Sequence, residues 1–577
     1  MWLINTTDLS IQFFQGETTP AYAILSHTWE ADEVSFQEFR QLSDDRHSPQ
    51  HKILRKQGYH KIAAACNRAR KDGHLYVWVD TCCIDKTSSA ELTEAINSMF
   101  RWYKESQVCY AYLSDVTVDA EELASSSQEL EECLSQCRWF TRGWCLQELL
   151  APQKIRFFNR QWQEFATKNT LSRYISKLTA IPESVLVTPP RCDIHDFPIA
   201  RRISWIAKRQ TTRVEDMSYS LLGILDINMP MLYGEGQMAF RRLQEEIIRK
   251  YNDMSIFAWT EEPTASPYMR VLAPSPSCFR AGPIRDDNAR NDSVSQLGDR
   301  LRTQFSITNQ GVYFPNATIY SQNAVRGHRY HYVMILNYRD PSFRGIIDKD
   351  WYIVLQKVGP GLFVRLRDTI DRLKAFRGRP LHDPCHEPVC IINYLSDSMT
   401  KQLSMWERHA VRLRWKPWEK SGRKYWHIRA TEPRANWDLI GGQFLVEMAS
   451  ERYMHIEFVP GNYKSNPNFE YFVLVIQVGD DGGRDPSRIS VRIVDSKIWP
   501  GVNATPFQFA SKEALALQAI PPKEMGDSRP DWISMVGYEM TVSVQQVNQW
   551  NDVPYHLVHI DWWESKPDRR SSRPRPI

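Results

Sequence analysis

Between Tyr22 and Asp226 the chain alternates short apolar runs with segments of helical period. Ala21 to Ser26, Tyr76 to Asp80, Val108 to Ser114 and Ile155 to Phe158 are brief and rich in β-branched or aromatic residues, so they predict buried strands. Between them, His60 to Asp72 sets Ile62, Ala65, Cys66 and Ala69 on one face and meets a helix stop at Gly73. Leu92, Ile96, Met99 and Tyr103 recur at i, i+4, i+7 and i+11, the stripe of a second amphipathic helix. Residues 201 to 251 are mainly helical in pattern, with an amphipathic run from Met238 to Lys250 punctuated upstream by Pro230 and Gly234. Strands alternating with helices predict an α/β unit around a largely parallel sheet.

After Trp259 the pattern changes. Residues 262 to 312 are rich in Pro, Ser, Asp, Asn and Arg and predict an irregular connection, with strand character returning near its end. Beyond it, strand-like runs cover Tyr330 to Tyr338, Tyr352 to Val358, Leu362 to Leu366, Phe444 to Met448, Tyr453 to Val459, Tyr471 to Val478, Ile489 to Val494, Met540 to Val547 and Tyr555 to Trp562. Several alternate apolar with polar residues, which predicts an antiparallel, sandwich-like β-rich domain. The expected division is therefore 1–261, an α/β domain with a helical extension; 262–312, a connection; 313–563, the β-rich domain; and 564–577, a solvated basic tail.

Composition narrows the function classes. The 577 residues are 42% hydrophobic and 24% charged, which suits two sizeable cores. Lys and Arg number 72 against 68 Asp and Glu, a near-balance that gives no broad attraction to nucleic acid or an anionic membrane. No apolar stretch is long enough to predict a transmembrane helix, and MWLINTTDLS lacks the regions of a secretory signal, so a cytoplasmic location is expected. The eleven cysteines, an odd and scattered set, predict reduced, buried thiols. His382, Cys385, His386 and Cys390 match no common zinc spacing, and with Pro384 and Pro388 among them they are read as a polar surface loop without metal. Phosphate-loop, nucleophile-elbow and zincin motifs are absent.

Three blocks occur in order: AYAILSHTW at 21–29, GYHKIAAACNRARKDGHLYVWVDTCCIDK at 58–86 running into AELTEAINSMFRWY at 90–103, and RGWCLQELLAP at 142–152. Together they resemble the fungal HET (heterokaryon incompatibility) domain, and 201–248 resembles the continuation found in many such proteins. One departure is Glu30, where the family usually has Gly. The resemblance implies a self/non-self or cell-death effector that self-associates through this domain and answers to an incompatibility partner protein. HET domains are similar in architecture to TIR domains, a flavodoxin-like group in which some members hydrolyse NAD and others only assemble. The resemblance thus implies NAD as a candidate substrate and no bound cofactor, with a non-enzymatic assembly module as the competing reading. A third reading makes the β-rich domain a sensor or ligand binder, on aromatics such as Trp406, Trp415, Trp418 and Trp426; core packing accounts for them equally well.

In a parallel sheet, ligands bind beyond the carboxyl ends of the strands. Ser26, His27 and Trp29 follow the first predicted strand and Asp80, Thr81 and Cys82 the second, so both groups are expected at one crevice. The resemblance implies a catalytic carboxylate at Glu91, with Glu94 the competing choice, to stabilise positive charge on a ribose as its bond to nicotinamide breaks. In the same reading Trp29 stacks on a ring, His27 donates to a phosphate or ribose oxygen, and Arg142 binds phosphate. Structural alternatives stand beside each. Ser88-Ser89-Ala90-Glu91 fits a helix capping box, and Glu94 lies opposite the apolar stripe as a surface charge. His27 and Trp29 suit a strand-to-loop junction, and Asp80 suits a turn cap. Cys82 and Cys83 suit packing better than a nucleophile.

Overall fold

In a computed structural model, the structure describes residues 1–44, 52–118, 121, 127–261, 268–279 and 304–322. Further along it describes 331–339, 350–359, 361–367, 385–393, 396, 398–399, 411–415, 426–432, 437–438, 443–444, 453–460, 472–478, 489–495, 531–535, 538–548 and 554–564. Two compact units emerge, one of Met1–Ala265, Val271–Asn309 and Ile335–Ile353, the other of Ser266–Arg270, Gln310–Met334 and Val354–Ile577.

The first unit is built on a seven-stranded sheet of β1 (Trp2–Asn5), β2 (Ile11–Phe13), β3 (Ala23–His27), β4 (Tyr76–Trp78), β5 (Val108–Tyr112), β6 (Ile155–Phe158) and β7 (Glu164–Thr167). Their spatial order is β2-β1-β4-β3-β5-β6-β7. The central four, β4, β3, β5 and β6, run parallel, as their apolar runs predict. Both margins are antiparallel, so the sheet is mixed. The reason is connection length: the links within β1–β2 and β6–β7 are too short for a parallel crossover and can only return the chain as hairpins.

Helices α1 (Phe36–Asp44), α2 (Gln57–Lys71) and α3 (Ser89–Glu105) follow β3 and β4. On α2 the buried face includes Ile62, Ala65, Cys66 and Ala69, the predicted stripe. On α3 Ile96, Met99 and Tyr103 are buried with Ala95 and Trp102, while Leu92 is only partly covered. Trp78 of β4 meets Trp102 and Tyr103 edge-on, with ring centroids 5.6 and 5.8 Å apart. Two buried hydroxyls tie α3 to β3 and its approach: Tyr103 donates to the Leu25 carbonyl (3.1 Å) and Tyr22 to the Trp102 carbonyl (2.6 Å). Each such aromatic contributes about 2–3 kcal/mol by burial, so the strand ends that carry polar residues rest on a stiff base. Further helices between Ser127 and Leu225, Lys168–Thr179 among them, and one at Met238–Lys250 belong to the same unit.

The second unit is β-rich. Tyr453–Pro460, Phe472–Val478 and Ile489–Asp495 form an antiparallel meander, and Tyr538–Asn548 pairs antiparallel with Pro554–Glu564. Two parallel pairings depart from an all-antiparallel plan: Leu362–Leu366 with Cys385–Ile392, and Val411–Trp415 with Pro554–Glu564. The segment read as a polar loop around Cys385 is a strand at Cys385–Ile392 with Cys390 buried, because it pairs along Gly311–Gln322. His382, Pro384, Trp406, Trp418 and residues 565–577 lie outside the described residues. Among the described residues no helix is long and apolar enough to cross a membrane, and no cluster of His, Cys, Asp or Glu is arranged to hold a metal.

Candidate active site

Three of the expected residues, His27, Trp29 and Asp80, meet where β3 and β4 end. The His27 imidazole is buried, and its Nε2 lies 2.8 Å from Asp80 Oδ1. Trp29 donates its indole N–H to the other oxygen, Asp80 Oδ2, at 2.7 Å. Burial works against a charge on Asp80, but the His27 contact, the Lys86 ammonium and the Trp29 donor outweigh it and hold the carboxyl well below the usual carboxylate range. Asp80 is therefore an anion with both oxygens occupied. Since a carboxylate only accepts, His27 Nε2 carries the proton. Burial, then the Lys61 ammonium, lower the His27 pKa, so the ring is neutral and its buried Nδ1 has no partner among the described residues.

Ser26 faces the other side of its strand. Its Oγ accepts from the Trp139 indole N–H at 2.7 Å and donates to Glu148 Oε2. Trp139 has no acceptor, so it donates to Ser26, and the Ser26 proton goes to Glu148 when that carboxyl is ionised. Burial, then repulsion from Asp80, push the Glu148 carboxyl up to about 7, against the Ser26 hydroxyl, Arg142 and Cys145. Two coupled carboxylates, one locked as an anion and one titrating near neutrality, form the pattern of a divided acid–base pair.

Of the remaining candidates, Glu91 and Glu94 make no bond to this group. The Glu91 carboxylate accepts from the Asp85 backbone N–H at 2.9 Å, while Ser88 Oγ accepts from the Glu91 N–H at 3.3 Å. It has no hydrogen bond or ion pair to Ser26, His27, Trp29 or Asp80. Glu94 is exposed, and with Glu91 it acts electrostatically on the Met1 ammonium, beside β1. Cys82 is fully buried, and burial, then its neighbour Cys83, push its thiol well up, opposite to what a nucleophilic thiolate requires. Arg142 brings its guanidinium carbon to 6.0 Å from the Trp29 ring centre. Glu30 needs no glycine-like backbone: it lies outside the left-handed region, and its side chain accepts from Ser114 (2.8 Å) and Arg138 (3.3 Å).

Glu148 is the residue that motif reasoning underrates, because helical spacing alone does not reveal that Cys145–Leu150 is buried on every side. A signal was present: a charged residue inside WCLQELLAP, flanked by apolar positions on both faces, needs a buried partner. The block is fixed in place by Gly143, whose missing side chain leaves room for Thr211; a Cβ there would lie 2.5 Å from Thr211 Cγ2. The Gly143 N–H donates to the Gln210 carbonyl at 2.8 Å, and Arg209 donates to the Arg142 carbonyl at 2.9 Å.

The family model for heterokaryon incompatibility protein (HET) matches residues 22–130, which hold β3, β4, α3 and the His27–Asp80–Trp29 group. Vegetative incompatibility protein HET-E-1 of Podospora anserina is 45% identical over 229 residues, 40% of this chain. Residues 22–130 thus form a HET domain. The chain spans 16% of that relative's length, so the likeness is to one part of a longer protein. Downstream of the HET match, residues 238–294 match a domain of unknown function.

Proposed function

We propose that this protein is an effector of heterokaryon incompatibility, acting inside the cell, whose HET domain hydrolyses NAD-type dinucleotides at the Asp80–Glu148 pair. One observation carries the reading: Asp80, just past the end of β4, is held as an anion, while Glu148, bonded to Ser26 near the end of β3, titrates near neutrality. The order of the parallel strands, second-first-third-fourth along the chain, supports a flavodoxin-like and TIR-like view of the sheet.

In the reaction, the bond between ribose C1′ and the nicotinamide nitrogen breaks, and its electron pair leaves with nicotinamide. Positive charge develops on the ribose, where the fixed Asp80 anion stabilises it. Water adds to C1′ and its proton passes to the Glu148 carboxylate, giving ADP-ribose, nicotinamide and a released proton. A base titrating at about 7 suits this step at neutral pH. Glu91 supports the loop that leads into α3. The proposed trigger is self-association of the HET domain on encounter with a non-self partner protein.

The test is NAD consumption by the full chain, with product identified as ADP-ribose. Glu148→Gln and Asp80→Asn are each expected to slow turnover by about 100-fold or more, and the wild-type rate to fall below pH 7. Unchanged NAD with assembled wild-type protein that still kills cells overturns the enzymatic reading and makes the HET domain an assembly module.

A further inference from the structure

The rim around Asp80 holds four cations, and two are neutralised. Lys61 pairs with Glu33, and Arg138 pairs with Glu30 at 3.3 Å. Two are not. The Lys86 ammonium stands 4.1 Å from the centre of the Trp29 ring, and its one hydrogen bond is to the Thr81 carbonyl at 3.3 Å. The Arg142 guanidinium carbon lies 6.0 Å from the same ring centre. Among the described residues, neither makes an ion pair. The nearby anion, Asp80, acts on Lys86 through space, yet both its oxygens are occupied by His27 and Trp29.

An aromatic face attracts a cation without cancelling its charge or using its N–H donors. Trp29 is itself 42% exposed and held by its indole N–H, so it is a fixed platform at the surface. Two cations on such a platform, with donors unspent, match the charge and hydrogen-bond demand of phosphate oxygens. With Lys86 already over it, the ring is better suited to presenting cations than to stacking a base.

We propose that Lys86 and Arg142, carried on the Trp29 ring, form the subsite for the phosphate groups of the substrate. This rests on the proposed function and narrows it: the substrate is a phosphate-bearing nucleotide, and a phosphate-free riboside with the same scissile bond is excluded.

Calorimetric titration of full-length Glu148→Gln protein, which spares the ligand, provides the test. The probes are ADP-ribose, inorganic pyrophosphate and nicotinamide riboside, which carries no phosphate. ADP-ribose and pyrophosphate are expected to bind, more weakly as salt rises. Lys86→Met and Arg142→Met are each expected to weaken both by about tenfold or more, while Lys86→Arg keeps most of the affinity. The riboside is expected to bind far more weakly than ADP-ribose and to ignore the Met variants. Equal affinity in the double Met variant, with circular dichroism unchanged, overturns the subsite, as does a riboside that binds as tightly as ADP-ribose. Phosphate binding through Lys86 with no NAD cleavage by wild type refutes the catalytic proposal and leaves the subsite standing; NAD cleavage indifferent to both Met variants does the reverse.

Discussion

Replacing Glu148 by Gln changes how the stability of the HET sheet responds to pH. The carboxyl titrates at about 7 in the folded chain against an ordinary 4.5, so the fold binds its proton more tightly than the unfolded chain does. The contribution is complete below about pH 4.5 and is lost as pH rises through 7. At about 1.4 kcal/mol per tenfold change in proton affinity, the gap amounts to about 3 kcal/mol. Gln keeps the oxygen that accepts from Ser26 and cannot ionise. Amide hydrogen exchange of Ala23–His27 reads this locally in the intact chain. After correction for intrinsic rates, protection in the wild type is expected to fall by about 300-fold between pH 4.5 and 8 relative to the Gln variant. His27, whose lowered pKa acts in the opposite sense, is common to both proteins and cancels in the difference. Parallel pH curves for the two proteins refute the assignment of Glu148 as a buried, near-neutral acid.

Two other substitutions probe the scaffold. Gly223→Ala places a Cβ 2.0 Å from Phe100 Cβ, which a side-chain rotation cannot relieve, so a loss of about 3 kcal/mol is expected and a thermal melt reads it. Lys168 is buried with its ammonium donating to the Pro152 carbonyl at 3.0 Å, and burial lowers its pKa from 10.5 to about 8. The folded chain releases that proton more readily than the unfolded one, so this term raises stability as pH climbs from about 8 to 10.5. Lys168→Met is expected to remove that rise, and melts of both proteins across the range decide it.

Much of the first unit was legible because its signals are local. The run IRFF at Ile155–Phe158 and the helix Met238–Lys250 coincide with their predicted bounds, since apolar periodicity decides both. Trp2–Asn5 and Glu164–Thr167 were missed: each has four residues, two of the first and none of the second fully buried, too short a run to carry periodicity, and only pairing with a neighbour makes them strands. At the site, topology brought His27 and Trp29 to Asp80 across some fifty positions of sequence, which the strand-end rule anticipates. The Ser26–Glu148 bond spans 122 positions and depends on how a short buried helix rolls, which no local pattern encodes.

The hairpins that close the two margins of the HET sheet bear on how copies of this chain meet. The outermost strands are β2, three residues, and β7, four residues, too short to template a long run of intermolecular backbone pairing. A filament grown by continuing the sheet from one molecule into the next would have little to hold. In the proposed self-association, contacts between copies would therefore fall to helices and loops and not to the sheet margins.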